Sequence, residues 1–305
     1  MWICKAVGFI FLLLPGLLFS QGMSDQDKDL TFVHKERSLQ PGEVVLVQAV
    51  SSHPLGGLVI EAFDRKFPAF GDADRLRWVG LIGIDLETKP GSYEVKLKGA
   101  DTDGKSKVSH GTFVVAAKRF PARELTVDEK YVTPPENVQS RIKEERERVN
   151  GIFAAVSPQR FWTGSFQLPV PGEVISAFGK RNIYNKKPRS PHSGVDFRGA
   201  AGTQVRAPNA GRVVLAAELY YSGNTVILDH GLGLYSYFGH LSGFNVKEGE
   251  MVKPGDIVGK VGATGLVTGP HLHWTVRLVE SRIDPLSLVD ILGSPSKAKG
   301  FPKTK

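Results

Sequence analysis

The chain has 305 residues, about two domains at ordinary domain sizes, of which 41% are hydrophobic and 23% charged. That balance supports a packed core and excludes wholesale disorder, while 34 glycines and 19 prolines without a collagen period point to turns and strands. The net charge of +8 is spread along the chain, and one cysteine excludes a disulfide scaffold.

Residues 1–20 read as a secretory signal peptide, with Lys5 as the leading cation, an apolar run over 6–19, and Ser20-Gln21-Gly22 as a small-residue exit. Pro15 and Gly16 interrupt a run already short for a ~20-residue membrane span, which favours cleavage over retention as an anchor. Cys4 falls inside this segment, so the mature chain would hold no cysteine and take its stability from packing. No later apolar run is comparable, so no stable membrane insertion is expected after cleavage.

Residues 24–118 carry short alternating runs at 43–48, 58–63, 78–84, 93–97 and 112–116. Pro41-Gly42, Gly56-Gly57, Pro90-Gly91 and Asp103-Gly104 supply turns between them, a spacing that predicts an immunoglobulin-like β-sandwich. His34, His53 and His110 are isolated there and are expected at the surface or in turns.

Residues 119–160 form a linker with a charged amphipathic helix. Thr133-Pro134-Pro135-Glu136 has the form of a capping box, and Val138, Ile142, Val149, Ile152, Phe153 and Val156 follow at helical spacing. The unbroken charges over 143–148 mix both signs, which describes a solvated face and gives no nucleic-acid partner. Residues 161–292 turn β-rich again: ten of the forty residues over 231–270 are glycine, and at ~1 kcal/mol per interior glycine no long helix forms there. Strands are expected at 211–217, 225–229, 234–238 and 271–277, and residues 293–305 form a disordered basic tail. The fold class is mainly β: a sandwich, a linker helix and a glycine-rich antiparallel β-domain.

Five of the eight histidines, His192, His230, His240, His271 and His273, fall in the last domain. In His192-Ser-Gly-Val-Asp196 an imidazole and a carboxylate share a face, and in His271-Leu-His273 two imidazoles share the face of a strand. Two imidazoles and a carboxylate are the donor set of a catalytic zinc, and iron triads use the same donors. Spacing alone leaves open whether both or one of His271 and His273 would bind. His230, in an Asp-His-Gly turn, reads as structural, and Arg181 and Tyr184 are candidates to line a substrate groove.

The ordered segments His192-Ser-Gly-Val-Asp196, Asp229-His-Gly-Leu-Gly-Leu-Tyr-Ser-Tyr-Phe-Gly-His240 and Gly265-Leu-Val-Thr-Gly-Pro-His271-Leu-His273, led by Ser176-Ala-Phe-Gly-Lys-Arg181, resemble the M23 family of zinc metallopeptidases, the lysostaphin/LytM-type peptidoglycan endopeptidases. The resemblance runs from about Gly172 to Leu278, and the upstream β-domain and helix also look like the N-terminal region of some Gram-negative members. It implies one Zn²⁺ held by His192, Asp196 and His273, with His240 and His271 as catalytic histidines beside the metal. His271, two residues from a ligand, is then assigned as general base and His240 as the group that steadies the oxyanion, with a swap of the two roles left open. The implied function is secreted, metal-dependent hydrolysis of peptidoglycan cross-links in the periplasm, or elsewhere at the envelope or outside the cell. A D-alanyl–diaminopimelate bond is the first expectation and a glycine bridge the second. Relatives that have lost their ligands act only as amidase activators, so the alternative is a non-hydrolytic peptidoglycan-binding regulator of the same fold. A protease acting on glycine-rich proteins is a third reading, and a regulatory partner protein is left unnamed.

Overall fold

The computed structural model describes residues 29–293, so the signal segment read at 1–20 and all but the first residue of the tail read at 293–305 lie outside the described residues. Seven strands come first: β1 (Leu30–Glu36), β2 (Val44–Ser51), β3 (Leu55–Ala62), β4 (Arg65–Gly71), β5 (Arg77–Gly83), β6 (Gly91–Asp101) and β7 (Ser106–Val115). They pair antiparallel in the order β1-β2-β5-β4-β3-β6-β7. The succession β1-β2-β5-β4 and then β3-β6-β7, continuous through β4, is the strand order of a seven-stranded immunoglobulin sandwich. β4 joins the two layers, pairing with β3 through Pro68 and with β5 from Ala69 onward. Pro68 has no N–H to give a ladder, and it stands where the strand changes partner.

Alternation along these strands sends Leu30, Ile60, Phe67, Ile82, Leu97 and Phe113 into the core, each contributing about 1.5–3 kcal/mol of transfer free energy. The same alternation turns His34 inward, contrary to the surface position its isolation suggested. It is 3% exposed, edge-on to Phe113, with Nδ1 2.7 Å from Glu36.

The connecting segment holds β8 (Ala122–Leu125), α1 (Glu129–Val132) and α2 (Glu136–Ala154). The expected capping box does not form. Pro135 is the N-cap of α2 without a side-chain bond, and Thr133 closes α1, its Oγ1 donating to Glu129 at 2.8 Å. α2 is docked on the following sheet: Phe153 packs with Leu215, Leu219, Ile227 and Tyr235, whose hydroxyl donates to the Ala155 carbonyl at 2.7 Å. Val156, placed on that stripe by its spacing, lies beyond the helix end and is exposed.

The remaining elements are β9 (Val174–Ser176), β10 (Arg181–Tyr184), β11 (Lys187–Pro188), β12 (Gly194–Arg198), β13 (Gln204–Arg206), β14 (Gly211–Leu219), β15 (Gly223–Gly231), β16 (Leu234–Phe244), β17 (Met251–Val252), β18 (Ile257–Val261), β19 (His271–Leu278), β20 (Ser281–Ile283) and α3 (Pro285–Leu292). A ten-stranded sheet runs β17-β14-β15-β16-β19-β12-β9, with β18 joining β16 to β13 and β20 flanking β19. β8 leaves the linker to pair in parallel with β10, itself in a hairpin with β11, so the connecting segment is built into the wall of the second unit.

The two β units share one continuous buried core. At their seam Glu43, 2% exposed, takes two bonds from Arg37 at 2.9 Å and one from Lys118 at 2.7 Å, and Arg37 also reaches Asp284 at 2.7 Å. Arg282 grips Asp85 at 2.6 Å. Burial alone would raise the carboxyl pKa values of Glu43 and Asp85, and their arginine partners reverse that and lower both.

Candidate functional site

The site forms where β12, β16 and β19 lie side by side. β12 pairs with β19 so that Asp196 stands opposite His273, and β19 pairs with β16 so that His273 stands opposite Gly239. Gly194 makes the first pairing possible, because a Cβ there would fall 2.4 Å from the Trp274 carbonyl oxygen. His192 sits two residues ahead of β12, in a loop tied back by its N–H to the Lys180 carbonyl and by the Gly179 N–H to its own carbonyl, both at 2.8 Å.

These constraints bring three donor atoms together. His192 Nε2 lies 3.0 Å from Asp196 Oδ1, His273 Nδ1 lies 2.9 Å from the same oxygen, and the two nitrogens are 3.1 Å apart. Ligands of a tetrahedral ion at 2.0–2.1 Å would be separated by ~3.3 Å, so the three atoms match one face of such a site. Their chemistry agrees. The Ala177 carbonyl, 3.0 Å from His192 Nδ1, can only accept, so that nitrogen carries the proton and Nε2 keeps its lone pair. His273 Nε2 is similarly engaged with Thr275 Oγ1 at 2.9 Å, leaving Nδ1 toward the cluster. Two lone pairs and a carboxylate at such separations repel unless a cation or shared protons lie between them. Where shared protons lie there, bonds donated by His192 and His273 outweigh the burial that would raise the Asp196 pKa and hold it far below the carboxylate range.

Two further imidazoles stand beside these atoms. His271 Nε2 is 3.9 Å from Asp196 Oδ1, outside ligand distance, and its Nδ1–H donates to the Gly269 carbonyl at 2.8 Å. His240 lies 4.9 Å from His271 between ring centroids and donates its Nδ1–H to the Thr264 carbonyl at 2.9 Å. Its backbone is left-handed (φ 63°) at an irregularity where β16 gains one residue over β15. Such a bulge re-aims a side chain, and a strained non-glycine residue is held there only by its surroundings. Thr264 supplies that hold, bonding Leu241 and Asn224 through Oγ1 and packing against Gly223 (φ 62°), where a Cβ would come within 2.4 Å of the Thr264 main chain. Burial, with the neighbouring His273 and His271, lowers the His240 pKa to about 3.

A cleft of about 420 Å³ opens over the cluster. Tyr184, an expected groove residue, lines it together with Asn182, two positions back on the same face of β10. Arg181 falls on the opposite face, exposed and outside the cleft lining, so the arginine of that expectation is corrected by the alternation of β10. His230 is fully buried away from the cleft, its Nδ1–H donating to the Ala210 carbonyl at 2.7 Å with Ser236 Oγ 2.9 Å from Nε2.

Sequence reasoning missed several cleft residues. Thr275 and Arg277 continue the inward face of His271 and His273 and were legible from strand alternation. Arg123, Leu125 and Val127 reach the cleft only because β8 pairs with β10 across nearly sixty residues, which no local pattern announces.

A model described as peptidase family M23 matches residues 190–285. Among curated proteins, the chain is 37% identical over 97 residues to the DD-carboxypeptidase/endopeptidase Mpg of Neisseria meningitidis, covering 32% of this chain and 22% of that one. It is 39% identical over 102 residues to the peptidoglycan DD-endopeptidase ShyA of Vibrio cholerae, covering 33% and 24%. The match thus spans about a quarter of the length of these curated relatives. Among solved structures, a Pseudomonas aeruginosa chain assigned to peptidase M23 superposes with a TM-score of 0.65 at 32% identity, covering 83% of this chain and 96% of that one.

Proposed function

The chain belongs to peptidase family M23, and on that footing we propose that it is a zinc endopeptidase of the cell envelope that hydrolyses peptide cross-links of peptidoglycan. The convergence of His192 Nε2, Asp196 Oδ1 and His273 Nδ1 in an open cleft is the observation that carries this reading. These three residues would hold Zn²⁺. When bound, the ion supplies a water that ionises near neutral pH and an electrophile for the scissile carbonyl.

The rest of the reaction falls to side chains of the chain itself. The Gly269 and Thr264 carbonyls can only accept from Nδ1 of His271 and His240, so each ring, when neutral, offers an acceptor at Nε2. His271 Nε2 takes the proton of the attacking water and returns it to the leaving amine. His240 orients that water by accepting its other hydrogen. This revises the expected oxyanion role, since a neutral His240 has no donor left at Nε2.

The names of the curated relatives favour a D,D-bond over a glycine bridge. A non-hydrolytic regulator has no use for three converged donors and two positioned imidazoles, and their presence supports hydrolysis. The envelope is where such a substrate is found, and it is consistent with the signal segment read at 1–20. Digestion of purified sacculi with and without a chelator tests the proposal.

A further inference from the structure

Arg277, at the end of the cleft away from the histidine cluster, is a cation that no described carboxylate pairs with. It lies on the same face of β19 as His271, His273 and Thr275, four residues and about 13 Å of strand beyond His273. Its guanidinium lies over the Phe153 ring of α2, 5.2 Å from the centroid. One N–H goes to the Glu280 carbonyl at 3.2 Å, while Nε is buried without a partner. Four of its five donors are therefore unspent.

Its cross-strand neighbour Arg282 already holds two acids of this region, Asp85 at 2.6 Å and Glu87 at 2.7 Å. Desolvation, with the neighbouring Arg282, lowers the Arg277 pKa to about 10, and the charges of Asp85 and Glu280 offset only part of that. Keeping such a group is costly unless something else completes it. Besides the histidines, the charged side chains on the cleft wall are Asp196, engaged by His192 and His273, and two arginines, Arg123 and Arg277. Beyond the cluster, then, the cleft presents positive charge only.

We propose that Arg277 forms an anion subsite that receives a free carboxylate of the substrate peptide, about four residue lengths from the scissile bond. An extended peptide covers ~13 Å in four residues, so a chain whose carbonyl lies at the histidine cluster reaches the guanidinium without bending. Phe153 keeps the guanidinium plane in place and excludes water from one side, which strengthens a charge-assisted bond. This subsite rests on the reading of the cleft as a peptidase site, and it adds acidity to the substrate as a requirement.

The test uses the full chain loaded with zinc and two cross-linked muropeptides that differ only in their stem carboxylates, free in one and amidated in the other. The free form is expected to be cleaved with about 10-fold higher kcat/KM, mainly through KM. Arg277→Gln should bring the two substrates to the same rate, and Arg277→Lys should restore part of the difference. Equal cleavage of both forms by the wild type, or an undiminished preference in a folded Arg277→Gln variant, overturns the subsite. If Arg277→Gln does not fold, the wild-type comparison decides alone. If neither form is cleaved, the endopeptidase reading fails separately, and calorimetry with the same pair still decides the subsite: about 10-fold weaker binding of the amidated form supports it and equal binding overturns it.

Discussion

His240 and His271 face each other with ring centroids 4.9 Å apart, and each gives its Nδ1 proton to a main-chain carbonyl. His273, two residues from His271, instead points Nδ1 at Asp196 and rests Nε2 on Thr275. Neighbouring histidines of one strand are thus held in opposite orientations, one toward ligation and the other toward proton transfer. His273→Ala should lose zinc and activity together. His271→Ala and His240→Ala should keep zinc at wild-type stoichiometry and lose about 10²–10⁴-fold in kcat. Metal analysis of the purified variants alongside turnover checks this, and equal metal loss in all three would mean the roles are wrongly divided.

His230 makes stability depend on pH. It is fully buried, and burial lowers its pKa to about 4 from 6.5. Between those values the unfolded chain binds a proton that the folded chain refuses. Its contribution is therefore complete above pH 6.5 and is lost as pH falls toward 4, by at most ~1.4 kcal/mol per unit. Urea unfolding at pH 7, 6 and 5 should show this slope, and His230→Gln should flatten it.

The seam between the two β units depends on a buried carboxylate. Arg37→Met leaves Glu43 with Lys118 alone and takes from Asp284 its arginine. Breaking a buried pair from one side costs about 3–5 kcal/mol. Arg37 is partly exposed, which places this loss at the lower end, and salt should change it little because Glu43 is shielded. Denaturant unfolding at two ionic strengths measures both.

Legibility in the sequence followed the range of the interactions. β14, β15, β16 and β19 each announce themselves by short apolar runs between glycines; spacing offered the candidate donors, and only the family resemblance chose His273 over His271. β1 and β4 did not: β4 opens on Arg65-Lys66 and carries Pro68, features that lower strand propensity but suit a strand changing layers. Thr133 looked like an N-cap because local chemistry cannot say which of two adjoining helices a threonine closes. β8 was invisible because its pairing partner lies in another part of the chain.

That strand yields a prediction of its own. The Asn185 side chain clamps Val127 from both sides, accepting from its N–H and donating to its carbonyl, both at 3.0 Å. Asn185→Ala should free the segment around β8 and raise hydrogen exchange over residues 122–127 while β12 and β19 stay protected. Exchange rising equally in those strands would mean the segment is not a separate unit.

The measurement that bears most directly on the central claim is muropeptide analysis of purified sacculi digested by the zinc-loaded protein. Cross-linked dimers should fall and new peptide termini appear, with a chelator abolishing both changes and added zinc restoring them. Dimers that persist unchanged beside zinc-loaded protein, with no new termini formed, would contradict the assignment of this cleft as a peptidase site.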